Sequence, residues 1–232
     1  MKIAHLVSHT HWDREWYQPL QHFRLRLVHL VDNLLAILDQ RPDYRYYMLD
    51  GQTIVLDDYL EMRPANRQKL YRHIQEGRIL IGPWYVLPDE FLVSPEALIR
   101  NLSEGIRTAK EAGGHMAVGY APDTFGHIGQ LPQILLGFGI EYAALRRGLA
   151  DEPAEIWWAA PDGSRVFTAY LRDGYDNAVN LPCSDPDQFA EDVQRLCGRL
   201  EPHTRSQQFL LMQGSDHVEP KPSTPDAIAK AN

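Results

Sequence analysis

Short aliphatic runs alternate with longer amphipathic stretches along the whole chain, and their periods differ. The first run, "KIAHLVSH" at residues 2–9, has the length and the Ile, Leu and Val content of a buried strand. "FRLRLVHLVDNLLAILDQ", residues 23–40, repeats apolar positions at helical spacing. "YRYYMLDG" (44–51) predicts a second strand closed by the turn pair Asp50-Gly51. Two helices follow over 53–62 and 64–77, the second opening after Pro64 and stopping at Gly77. "RILIGPWYV" (78–86) predicts a third strand. A helix over 94–114 then begins with Ser94 as N-cap and Pro95 at the first helical position. Strands over 115–123 and 140–148 flank a helix over 130–139. "EIWWAAPDGSRVFTAYLR" (155–172) breaks the rhythm, because its two β-rich arms around Pro161-Asp162-Gly163 read as a hairpin. A helix over 186–200, a strand over 207–214 and a helix start over 223–232 restore it.

Repeated strand–helix units argue for a parallel sheet covered by helices. Polar residues end one strand after another: His9, His11 and Asp13, then Asp50, then Trp84, Asp89 and Glu90, then Asp123 and His127. Arg146 and Arg147 end the fifth strand, Asp173, Tyr175 and Asp176 follow the hairpin, and Asp216 and His217 end the last strand. Barrels gather reactive side chains in this way, after the C-terminal ends of many strands. A doubly wound sheet would place a Gly-rich phosphate loop after the first strand, and this chain has none there. The expected fold is therefore an α/β one, an incomplete parallel β/α barrel with its active site at the C-terminal ends of the strands.

Composition changes this picture little. The 232 residues are 44% apolar and 23% charged, with no repeat or low-complexity tract, and they suffice for one sizeable core. The net charge of −8 argues against nucleic acid or anionic lipid as a partner. The N-terminal apolar stretch is broken by His5 and too short for a signal-peptide core, and no run reaches the roughly 18 apolar residues of a membrane helix. A cytoplasmic location is expected. Cys197 shares a helical face with Phe189, Val193, Leu196 and Leu200, so a buried thiol is a better reading than a bridge to Cys183.

The stretch "SHTHWDREW" (8–16) raises the chemical question. Residues i and i+2 of an extended segment point to one side, so His9, His11 and Asp13 could line one face, and His11 with Asp13 could hold an ion. An imidazole and a carboxylate suit zinc. A helix N-cap at Asp13 beside hydrogen-bonded histidines explains the spacing equally well, and spacing alone leaves the two readings even.

"HTHWDREW" nevertheless resembles the opening motif of the alpha-mannosidases of glycoside hydrolase family thirty-eight, most of all their bacterial branch. The resemblance continues through "LDGQTIVLDDYLE", "GPWYVLPDEFLVSPEALIRNL", "GYAPDTFGHIGQLPQIL", "FTAYLRDGYDNA" and "LLMQGSDHVEP", in order, from residue 5 to about 220. It implies a glycoside hydrolase/deacetylase-like barrel and a zinc held by His11, Asp13 and Asp123, with Asp123 in "APDTFGH" also the nucleophile of a retaining hydrolysis of alpha-mannosides. It further implies Asp216 in "GSDH" as candidate general acid, and Trp16, Arg147 and Tyr175 as substrate contacts. His9 would orient a ligand. Asp89, Glu90 and Arg100 belong to matching blocks too, and a salt-bridge network explains them as well. The fourth zinc ligand would lie beyond residue 232. Residues 1–232 are thus expected to be the N-terminal part of the catalytic barrel domain, without the rest of that domain and a C-terminal β-rich region. Apolar barrel surface would then be uncovered, and the chain alone would self-associate and be inactive. Two other readings stay open: a metal-dependent deacetylase or amidohydrolase on a similar barrel, and a non-catalytic fragment.

Overall fold

The computed structural model describes residues 2–232. Its strands are β1 (Ile3–Thr10), β2 (Tyr47–Leu49), β3 (Ile79–Leu80), β4 (Val118–Ala121), β5 (Tyr142–Leu145), β6 (Glu155–Ala159), β7 (Arg165–Tyr170) and β8 (Gln208–Gln213). They form two sheets, ordered β3-β2-β1-β8 and β4-β5-β7-β6. Every pairing is parallel except that of β6 with β7, which is the hairpin legible in the sequence. Among the described residues no strand ladder joins the two sheets, and hydrogen bonds at two seams do so instead. Met116 N–H donates to Ile81 O at 2.9 Å between the ends of β3 and β4. Beyond β7, Ala178 N–H donates to Met212 O at 3.0 Å, and Asn177 bonds Leu210 O and Met212 N–H. The barrel is present and incomplete in its ladder.

Its interior is nonetheless filled. Val7, Met48, Leu80, Tyr120, Ala144, Ala169 and Met212 come from seven different strands and pack as one cluster. Met48, Tyr120, Ala144 and Met212 are buried there, while Val7, Leu80 and Ala169 are only partly covered. Exposed apolar side chains include Phe91, Leu92 and Phe125 beyond the strand ends, Trp157 on β6, Tyr142 on β5 and Leu25 on α1.

The helices are α1 (Leu20–Gln40), α2 (Ile54–Met62), α3 (Arg67–Gln75, after a 3-10 turn at Pro64–Asn66), α4 (Pro95–Ala112), α5 (Leu131–Gly137), α6 (Pro186–Leu200) and α7 (Thr224–Ala231). The apolar stripe of α1, including Leu27, Leu30, Leu34 and Leu38, packs with Tyr47 and Leu49 of β2 and with Leu56 and Tyr59 of α2. Ser94 caps α4 as read from the sequence, accepting Ala97 N–H at 3.2 Å. Asp185 caps α6 by accepting Gln188 N–H. β3 is much shorter than the expected 78–86, because Gly82 takes a left-handed φ of 70° and Pro83 has no N–H to give a neighbour. Pairing resumes as an isolated parallel bridge between Gln52 and Trp84. Both cysteines are free, Cys183 buried and Cys197 partly so. Among the described residues no helix is long and apolar enough to cross a membrane.

Gly105 of α4 lies directly on the backbone that follows β3. A Cβ there would stand 2.1 Å from Trp84 C and 2.3 Å from Pro83 O. Gly105→Ala should therefore push α4 off the sheet at a cost of about 1–3 kcal/mol, the usual range for overpacking. Urea or thermal unfolding of the variant beside the parent chain measures this, and an unchanged midpoint would refute the contact.

Candidate active site

The β1–β8 register puts two of the predicted residues side by side. Ile3 faces Gln208, and the pairing runs in step to Ser8 opposite Gln213. It reappears past both strand ends as a parallel bridge between His11 and Asp216, with His11 N–H donating to Ser215 O and His217 N–H to His11 O. Asp13 follows on the same loop, its carboxylate 3.5 Å from His11 Nε2. His11, Asp13 and Asp216 each offer one donor atom, and these lie within 4.8 Å of one another. One imidazole nitrogen and two carboxylates form a donor set that fits a divalent cation.

Asp50 sets the orientation of His11. It is fully buried at the end of β2, 3.3 Å from His11 Nδ1, which leaves Nε2 turned toward Asp13. Its own carboxylate is fixed by Trp12 N–H, Gly51 N–H and the Gln52 amide at 2.8–2.9 Å. Burial opposes the charged form of His11, but Asp50 foremost and Asp13 next outweigh it and hold the imidazole well above its ordinary pKa. Burial likewise opposes ionisation of Asp50, and His11 with the surrounding N–H donors outweighs it, so that pKa is lowered. A carboxylate behind a ligating imidazole is a common support of metal sites. The sequence marked Asp50 only as a strand end; its turn residue Gly51, which frees an N–H toward it, was the available signal.

Asp123 lines the same cleft of about 360 Å³ as His11 and Asp13, together with Gln52, Leu87 and Phe125. Its carboxylate lies outside the His11–Asp13–Asp216 cluster and is held by Arg147, whose Nη1 stands 2.7 Å from Oδ1 and also donates to the Asp123 carbonyl. The Arg147 guanidinium lies 4.2 Å over the Phe125 ring. Tyr175 joins the two sides. Its hydroxyl donates to Asp216 Oδ1 at 2.8 Å, its ring is 5.1 Å from that of His11, and the Arg146 guanidinium lies over the Tyr175 ring at 5.4 Å. Burial raises the Tyr175 pKa, and the nearby charges of Asp216 and Asp123 raise it further.

The remaining predicted residues are placed as follows. His9 is buried beneath the rim and bonds the Tyr175 carbonyl through Nε2 at 2.7 Å, so it contacts the loop carrying Tyr175 rather than any of the candidate ligands. Trp16 is 65% exposed, edge-on to Tyr17. Arg100 takes no part in a network with Asp89 or Glu90; it pairs with Glu96 one turn back on the exposed side of α4. His217 was unassigned by sequence reasoning. It stacks on Phe23 at 4.4 Å, meets Trp12 edge-on and bonds the Asp13 carbonyl at 3.0 Å, anchoring the loop that presents Asp13.

Residues 1–230 match the model of the N-terminal domain of glycosyl hydrolases family 38. The chain belongs to that family. It is 39% identical over 99% of its length to a Halalkalibacterium halodurans protein named "Putative mannosylglycerate hydrolase", covering 27% of that protein. It is 28% identical to human alpha-mannosidase 2C1 over 72% of its length, covering 16% of that protein. The crystal structure of an alpha-mannosidase from Enterococcus faecalis V583 superposes with a TM-score of 0.95 at 35% identity, over all of this chain and 27% of the other. The family-38 chain thus spans about a quarter of the length of the first of these relatives. Deleting the support behind His11 should show in metal binding. Asp50→Ala is expected to weaken the affinity of the cluster for a divalent cation roughly 10- to 100-fold, read by calorimetric titration, and equal affinity would remove Asp50 from the site.

Proposed function

We propose that this chain forms the N-terminal part of the catalytic domain of a zinc-dependent, retaining alpha-mannosidase. The observation that carries the proposal is that one cleft is lined by His11, Asp13 and Asp123, the last held by Arg147. His11, Asp13 and Asp123 are the proposed zinc ligands within this chain. When bound, the metal would grip vicinal hydroxyls of the sugar and favour its distortion toward an oxocarbenium-like state. Asp123 attacks the anomeric carbon, a second carboxyl gives its proton to the leaving oxygen, and water then releases the glycosyl-enzyme ester. Asp216, within reach of Tyr175, is the proposed acid. Tyr175 and Arg147 place these two carboxyls, and Trp16 supplies an exposed aromatic face for the sugar or its aglycone. The substrate is an alpha-mannoside, and the name of the Halalkalibacterium relative favours mannosylglycerate.

A second assignment of Asp216 is favoured by its nearness to His11 and Asp13, as a metal ligand in place of Asp123. Variants of the full-length protein separate these roles. Asp123→Asn should lower turnover by several orders of magnitude, roughly the loss seen when a nucleophile is removed, with no rescue by added zinc. His11→Ala should lose zinc and recover partly at high zinc concentration. Asp216→Asn should spare nitrophenyl mannosides, whose leaving group scarcely needs an acid, if Asp216 is the acid; it should lower zinc affinity if Asp216 is a ligand. Rescue of Asp123→Asn by zinc as readily as of His11→Ala would strip Asp123 of the nucleophile role.

A further inference from the structure

Beneath the Asp123 wall lies an ion pair that the proposed chemistry does not use. Glu90 and His127 are both nearly sealed from solvent, with side chains 1% and 7% exposed. Glu90 Oε1 is 2.9 Å from His127 Nδ1, and Glu90 Oε2 accepts Ile128 N–H at 2.7 Å. On the far side of the ring, His127 Nε2 is 2.8 Å from the Arg146 carbonyl. Both neighbours of the imidazole are acceptors, a carboxylate and a carbonyl, so both ring nitrogens must donate. Only the imidazolium does that.

We propose that Glu90 and His127 are a positioning pair for Asp123, a buried clamp that ties the end of β5 to the loop after β4 and so fixes where Arg147 holds the Asp123 carboxylate. The proposal rests on the reading of Asp123 as nucleophile. Two observations carry it. The backbone of Arg147 is left-handed, with φ 68°, one residue beyond the carbonyl that His127 grips, so a defined anchor is needed to aim its side chain. The turn at 88–90 holds the other side as well: Asp89 accepts Phe125 N–H at 2.8 Å and Pro88 O accepts the Thr124 hydroxyl. The clamp thus spans residues 88–90, 124–128 and 146–147, and Asp123 is the reactive group on that frame.

The charge of the clamp depends on a proton. The groups acting on His127 are Glu90 from the turn and Arg147 from the end of β5, while β6 contributes the uncharged ring of Trp158, edge-on at 5.7 Å. Burial and Arg147 oppose the imidazolium; the bonds to Glu90 and to the Arg146 carbonyl outweigh them, and the His127 pKa is raised. A raised folded-state pKa means that the contribution of the pair is complete below the unfolded value of about 6.5 and is lost as pH rises through the folded-state value. Above it, a neutral ring that still donates to Arg146 turns a lone pair on Nδ1 toward the Glu90 carboxylate.

Glu90→Gln distinguishes a clamp from mere packing. The Gln amide can donate to a neutral Nδ1 while its oxygen keeps Ile128 N–H, so every hydrogen bond survives without the charge. In the 232-residue chain, imidazole nitrogen shifts should report His127 doubly protonated at pH 7 and singly protonated in Glu90→Gln. Arg147 guanidinium protons should exchange slowly in the parent and fast in His127→Ala. In the full-length protein, His127→Ala should lower kcat roughly ten- to a hundredfold with KM little changed, as small misplacements of a reacting group do. Glu90→Gln should keep kcat near that of the parent and shift the alkaline limb of its pH profile. A singly protonated His127 in the parent at pH 7, unchanged Arg147 exchange in His127→Ala, or an alkaline limb identical in Glu90→Gln overturns the proposal. If the full-length protein hydrolyses no alpha-mannoside, the nitrogen shifts and Arg147 exchange still decide the clamp, and only the nucleophile reading falls.

Discussion

The parallel pairing of β1 with β8 is the constraint on which the site depends. These strands lie more than 200 residues apart in sequence, yet six register pairs align them before the bridge that sets His11 beside Asp216. Side chains alternate along a strand, so a slip of one residue would turn every inward group outward. The packing on both faces forbids that slip: Leu6, Phe209 and Leu211 belong to the cluster beneath α6 and α7, while Val7, Leu210 and Met212 fill the barrel. The apolar core is what holds two polar residues in contact range.

Electrostatics then divides the rim into two supported walls. On the His11 wall a buried carboxylate, Asp50, is fixed by three N–H donors and aims the imidazole. On the Asp123 wall a guanidinium restrains the carboxylate and a buried ion pair stands behind the guanidinium's backbone. The His11 imidazole and the Asp123 carboxylate are thus each backed by a partner of opposite character. Preorganisation of this kind spares the chemistry the cost of ordering its own groups.

Much of this was legible in the sequence, and the rest was hidden for physical reasons. Strand and helix periods located the elements, and the polar strand ends pointed to one rim. β3 was overextended, because periodicity does not register that Gly82 and Pro83 interrupt a ladder. Asp50, Glu90 and His217 were visible as residues but not as supports. Their roles come from contacts across 39, 37 and 204 positions, and no local spacing encodes such contacts. Arg100 shows the reverse case: it sits in a motif-rich block, and its partner is simply Glu96, four residues away on its own helix.

His217 carries one more consequence. It follows Asp216 directly, and the two neighbours face opposite ways, the carboxylate toward Tyr175 and His11, the ring into Phe23 and Trp12. A single dipeptide therefore belongs both to the carboxylate–imidazole cluster and to the joint between β8 and α1. Such a coupled position has little freedom to diversify, since change on one side disturbs the other. Elsewhere on the rim single positions are freer: Phe91 and Leu92 project into solvent, where the core does not constrain them.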